Sequence, residues 1–155
     1  MLYTEQDLVD VRAQQKKRWL LLALPCALLL AVIIAAVVLR LEVLADAATI
    51  IAGALLIAGW DLLIKPLHCY EIHINNVLHG MTHDLECEFA GFDPDESLVD
   101  GVRYHAMHVT CYDEKDKPYD RMFYFDTEKE QPAFEPGQRI SITYHDHEVG
   151  GITIL

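Results

Sequence analysis

The stretch WLLLALPCALLLAVIIAAVVL, residues 19–39, holds no charged side chain in 21 positions, and AATIIAGALLIAGWDLLI, residues 47–64, holds only Asp61 in 18. As helices they reach about 31 Å and about 27 Å, against a hydrocarbon core of roughly 30 Å. Both have the length and composition of membrane spans. A soluble pair of core helices is the alternative, and it fails on size. The roughly 90 residues from Lys65 onward cannot wrap two helices that are apolar all round. Lys16-Lys17-Arg18 before the first run has the look of a signal peptide, but 21 residues exceed a normal signal core. Leu24-Pro25-Cys26 puts proline directly before the cysteine, against lipoprotein processing. The run is expected to remain a span.

Working outward, charge sets the expected orientation. Arg12, Lys16, Lys17 and Arg18 precede the first span and Lys65 follows the second, whereas the 40–46 loop has one basic and two acidic residues. The positive-inside rule puts both termini in the cytoplasm. Trp19 opens one span and Trp60 closes the other, so a hairpin brings both indoles to the same interface. Asp61 lies four residues before Lys65 near that interface, the spacing of a helical ion pair, which is favoured over a proton relay. Ala23, Ala27, Ala31 and Ala35 repeat every fourth residue, and Gly53 and Gly59 mark the second span. Small residues at that period predict close helix packing, within the hairpin or between copies of a homo-oligomer. Residues 1–18, with a capping-box-like Thr4-x-x-Asp7, predict a short amphipathic helix at the membrane surface or running into the span.

Beyond the spans the chain is acidic. From Lys65 it has 18 Asp plus Glu against 7 Lys plus Arg, or −11 of the formal −12 for the whole. Such a domain repels nucleic acid and anionic lipid headgroups, and suits a basic protein surface. Residues 65–80 fit a helical face through Leu67, Tyr70, Ile74, Val77 and Leu78, with Gly80 as a C-cap, better than they fit a strand. Residues 81–155 then read as short strands. Leu85, Cys87 and Phe89 alternate with acids up to a turn at Asp93-Pro94-Asp95, and Val102–Tyr112, Met122–Phe125, Ile140–Tyr144 and Ile152–Leu155 follow. The expected fold is therefore an α+β membrane protein: a two-helix transmembrane hairpin, a juxtamembrane helix, and a five-stranded antiparallel barrel, partly open, of oligonucleotide-binding (OB) or SH3-like kind.

Two spans followed by a small β-barrel resemble the membrane-anchored NfeD-type proteins of bacteria. Pro136-Gly137-Gln138-Arg139-Ile140-Ser141-Ile142-Thr143-Tyr144 is similar to the proline-glycine-polar, alternating, tyrosine-ended strand of several two-span bacterial families. The likeness covers nine residues, and His145-Asp146-His147 departs from it where those families often place a proline-containing turn. It implies an accessory or scaffold role and no chemistry.

No nucleophile elbow or phosphate loop occurs, and the four cysteines, with no C-x-x-C pair, read as reduced thiols. The chain is not expected to be an enzyme or to carry a cofactor. The chemically suggestive feature is its eight histidines. His79, His83, His145 and His147 sit at turn edges, and their convergence with Asp84 or Asp146 would hold a divalent transition metal. Tyr104, Tyr112, Phe123, Tyr124 and Phe125 could make a base-stacking platform, but the charge of the domain opposes nucleic acid, and Phe123 and Phe125 read as core. The leading expectation is a membrane-anchored interaction module that self-associates through its spans. The alternative is a metal- or pH-responsive regulator of a transport system.

Overall fold

The computed structural model describes every residue except Glu114. The chain divides into two compact units, Val9–His68 and Met1–Leu8 with Cys69–Leu155. Helix α1 is Glu5–Val38, α2 is Glu42–Gly59, a π-helical turn covers Trp60–Ile64, and α3 is Lys65–His79. Five strands follow: β1 His83–Val99, β2 Val102–Tyr112, β3 Pro118–Asp126, β4 Arg139–His145 and β5 Glu148–Ile154.

In the helical unit, two helices are long and apolar enough to cross a membrane. The connection between them is tighter than residues 40–46. α1 stops because Arg40 takes a left-handed conformation (φ 55°), and the Leu41 N–H donates back to the Ala36 carbonyl at 2.9 Å. That is the Schellman closure, usually made by glycine, so the sequence carries no conspicuous signal for it. Leu22 and Ala36 of α1 and Ala48 and Gly59 of α2 are buried. A Cβ on Gly59 would collide with the Leu22 side chain, so glycine is what admits that leucine. Trp19 and Trp60 meet edge to face, with centroids 5.8 Å apart. Arg18 donates to the Leu63 carbonyl at 3.1 Å, beside the π turn.

In the barrel unit, the strands close in the order β1-β2-β3-β5-β4. The expectation of an all-antiparallel, partly open barrel is corrected. β3 and β5 run parallel at Tyr124↔Glu148, because β4 lies between them in sequence and returns the chain in the same direction. β1 is one 17-residue strand in place of a short strand and a turn at Pro94. Its register with β2 shifts between Phe89 and Gly91 and again between Phe92 and Glu96, so Pro94 sits in a bulge, where its missing N–H is tolerated. Asp100 and Gly101 both have positive φ (50° and 83°) and make the two-residue β1–β2 turn that such a pair favours. The interior is filled by Phe89, Met107, Val109, Phe123, Phe125, Ile140 and Ile142 with their neighbours.

The thiols of Cys87 and Cys111 lie in that interior. Burial and the neighbouring Cys111 push the Cys87 thiol up to about 12, and burial raises Cys111 too. Neutral buried thiols are inert, consistent with the reduced state expected.

Candidate functional site

The outer face of the β2–β3 ribbon runs from covered to open. Tyr104, Ala106, His108, Thr110 and Tyr112 share it along β2, opposite Asp126, Tyr124, Met122, Asp120 and Pro118. Tyr104, Ala106 and Asp126 are buried, His108, Thr110 and Tyr124 are partly so, and Asp120, Met122 and Tyr112 are exposed. The period of two puts them on one side, and what differs is the cover. α3 and the N-terminal segment lie over the first half.

That cover is a polar cluster, centred on His73 of α3. His73 is 3 % exposed and Asp126, at the end of β3, is 1 % exposed. The Tyr3 hydroxyl lies 2.7 Å from His73 Nε2 and 2.9 Å from Asp126 Oδ2. Tyr70 donates to the same Oδ2 at 2.6 Å, and the Glu128 backbone N–H donates to Oδ1 at 2.9 Å. On the other side of the ring, Nδ1 lies 2.9 Å from Glu148 Oε2 and 3.0 Å from the Tyr104 hydroxyl, which donates to Glu148 Oε1 at 3.1 Å. Asp126 therefore has three donors, and Glu148 has two groups. Buried charge persists only when paired in this way.

The electrostatics follow. Burial alone would raise the Glu148 carboxyl, but the His73 and Tyr104 hydrogen bonds and the His73 charge outweigh it and hold Glu148 below its ordinary range. Burial, then the Asp126 carboxylate, drives the Tyr3 and Tyr70 phenols well above theirs, and burial with Glu148 does the same to Tyr104. The phenols stay neutral donors.

Close backbone approach makes this possible. A Cβ on Gly150 would meet Val77 Cγ1 at 2.7 Å, so that glycine admits α3 to the barrel wall. The Leu2 N–H donates to the Gly150 carbonyl at 2.8 Å, adding the chain's N-terminus to the rim of β5. The capping box is present: the Thr4 N–H donates to Asp7 Oδ2 at 2.8 Å, and the Asp7 N–H to Thr4 Oγ1 at 3.4 Å. Asp7 also receives Lys129 at 3.0 Å. α1 continues through residues 9–18 without interruption, so the predicted amphipathic segment is continuous with the first apolar stretch, and residues 1–8 belong to the barrel unit.

The four histidines singled out by sequence are placed separately. His79 Nε2 lies 3.1 Å from Glu5 Oε1, and His83 packs against the Tyr144 ring at 5.8 Å. His145 Nδ1 lies 2.9 Å from the Met81 carbonyl, and His147 contacts the Tyr124 ring at 6.1 Å. Among the described residues no three His, Cys, Asp or Glu side chains form a group that could hold a metal ion. Each ring has a local partner, and turns that share a barrel end need not aim their side chains at one point. Gly80 directly follows α3, at the predicted C-cap position, and its N–H donates to the Asn76 carbonyl at 2.7 Å; a Cβ there would also meet the His145 ring at 2.7 Å.

Of the other predicted residues, Asp61 and Lys65 stand 3.8 Å apart, both more than half exposed. Ala23, Ala27, Ala31 and Ala35 are all exposed, away from the buried side of α1 that carries Leu22 and Ala36. Ala23 and Ala27 border an open groove of about 420 Å³ with Ala52 and Leu56 of α2. Gly53 has open space over its Cα, and Gly59 meets the Leu22 side chain of α1 closely. Sequence reading missed His73, Tyr3 and Asp126. Their separations, 70 and 123 residues from Tyr3, leave no local signal. His73 on the apolar face of α3, in step with Tyr70 and Val77, was the one available clue.

Comparison with known proteins finds no matching family model, no matching curated protein and no matching solved structure.

Proposed function

We propose that this chain is a membrane-anchored interaction module. Its two apolar helices sit in a bacterial inner membrane with both termini cytoplasmic, and its acidic barrel is offered to a protein partner. The observation that carries the reading is the half-covered β2–β3 face. The chain covers Tyr104, Ala106 and Asp126 itself and leaves Met122 39 % and Tyr112 48 % exposed beside Asp120. Tyr112 donates to Glu88 at 3.1 Å, and Asp93 lies 3.1 Å from His108, so carboxylates flank the open half. A methionine and a tyrosine ringed by carboxylates suit an extended basic segment of a protein, and repel nucleic acid. The closed 1-2-3-5-4 order supports an OB over an SH3-like barrel, and in OB barrels the strand 2–3 face is the usual binding face. It also keeps open the NfeD-type resemblance, with its scaffold role. The outward alanine stripe supports self-association, since small residues let a second copy's helix approach closely.

Photo-crosslinkers at Met122 and Tyr112 test this in intact cells. They should trap one and the same basic partner, and Glu88→Lys with Asp120→Lys should abolish the product. A crosslinker at Glu86, on the β1–β4 side, should not trap it. Equal capture from Glu86, or capture that survives the charge reversal, would sink the reading.

A further inference from the structure

We propose that His73 is a proton-gated latch for the N-terminal segment: protonated on both ring nitrogens it holds Tyr3 on the barrel, and loss of the Nε2 proton frees the segment. The inference concerns the barrel unit alone and stands whether or not the chain binds a partner.

The argument is a count of hydrogens. The Tyr3 hydroxyl has one hydrogen and two close neighbours, His73 Nε2 at 2.7 Å and Asp126 Oδ2 at 2.9 Å. With that hydrogen on Asp126, the Nε2 contact is a bond only if Nε2 itself carries a proton and donates to the Tyr3 oxygen. Nδ1 is already committed as a donor, since Glu148 Oε2 lies 2.9 Å away and can only accept. In the doubly protonated ring every polar atom of the cluster is paired. Remove the Nε2 proton and no arrangement pairs them all. If the Tyr3 hydrogen stays on Asp126, two lone pairs face each other at Nε2. If it swings to Nε2, two oxygens confront each other across the Asp126 contact. Either way a buried hydrogen bond is replaced by a repulsion, which is among the more costly local changes a fold can suffer.

The part that yields is the one outside every helix and strand. His73 is fixed by α3, Asp126 by β3 and Glu148 by β5, but Tyr3 belongs to the terminal segment. The terminal segment is also tied by the Leu2–Gly150 rung, by Leu2 packed against the core, by Lys129 over the Tyr3 ring and on Asp7, and by Glu5 with His79. The groups facing His73 are Tyr3, Tyr70 of its own helix, Tyr104, Asp126 and Glu148. The three phenols are shifted upward and Glu148 downward, away from neutrality. The nearby histidines are His79, on Glu5, and His145, whose charge reaches Glu148.

The test uses the full chain in lipid nanodiscs, with amide hydrogen exchange at Leu2 corrected for the intrinsic pH dependence. Between about pH 5.5 and about pH 8.5 protection should fall, by at most about tenfold per pH unit, the limit for one proton. His73→Gln and Tyr3→Phe should each show low protection with no step, and His79→Gln and His145→Gln should keep the step. A flat wild-type profile overturns the proposal. So does a step that survives in His73→Gln, or full protection of Leu2 in Tyr3→Phe. If His73→Gln does not fold, Tyr3→Phe decides, because Tyr3 lies outside the barrel interior.

Discussion

The hydrogen bonds around Glu148 show how one residue makes the fold depend on acid. Its folded carboxyl lies below the ordinary value of 4.5, because the His73 and Tyr104 bonds outweigh burial. Asp7 is likewise held below 3.8, where bonds from Lys129 and Thr4 outweigh burial. A depressed carboxyl contributes stability that is present above its unfolded value and lost as pH falls through the folded one. Thermal stability of the barrel unit in the full chain should therefore fall as the pH drops below about 4.5. Glu148→Gln should lower stability at neutral pH and flatten that acid limb. A full-sized limb in Glu148→Gln would show that other carboxylates carry it. The raised phenols act with opposite sense: their contribution is present below pH 10 and is lost as pH rises beyond it. Asp7 was legible in the sequence because capping is local. Glu148 was not, because its partners come from α3 and β2.

At the scale of elements, periodicity located each helix but left open which side of α1 packs within the chain. Residues 65–80 read as helical, and α3 is Lys65–His79, with Ile74 and Val77 buried as the pattern required. The four-residue alanine series in α1 is real, but Leu22 and Ala36, one position before and one after its ends, face inward. The physical reason is that an all-apolar helix has no polar side to orient it, so shape decides, and Gly59 offers the notch that Leu22 fills. Two substitutions separate the two faces. Gly59→Leu should lower the thermal stability of the hairpin. Ala27→Leu should leave it intact and weaken crosslinking between copies in the membrane, by on the order of 1 kcal/mol. Equal responses of both readouts at both positions would reduce the stripe to composition. The strand pattern erred at Pro94 for a related reason. A proline predicts a turn from local chemistry, but a bulge in a long strand accommodates it once β2 sets the register.

For the whole molecule, the proposed arrangement places both chain ends on the same side of a bilayer. Reporter fusions before Met1 and after Leu155 should both read cytoplasmic, and one inserted at Arg40 should read external. An external C-terminus would remove the protein-facing role proposed for the barrel. The sharing of the chain between units is the other feature of this scale. Residues 1–8 belong with 69–155, although the helical unit lies between them in sequence.

Composition and period alone determined the two apolar helices, the acidic balance beyond Lys65, the helix before the barrel and the existence of five strands. Those properties are set within a few residues, by hydropathy and by the 3.6- and 2-residue repeats. Tertiary structure alone decided the parallel β3–β5 closure, which half of the β2–β3 face is covered, and the meeting of Tyr3, His73 and Asp126. Each depends on which strand lies beside which. A buried polar cluster of that kind is specified by the pairing of donors with acceptors in three dimensions, and pairing leaves no periodic trace along a chain.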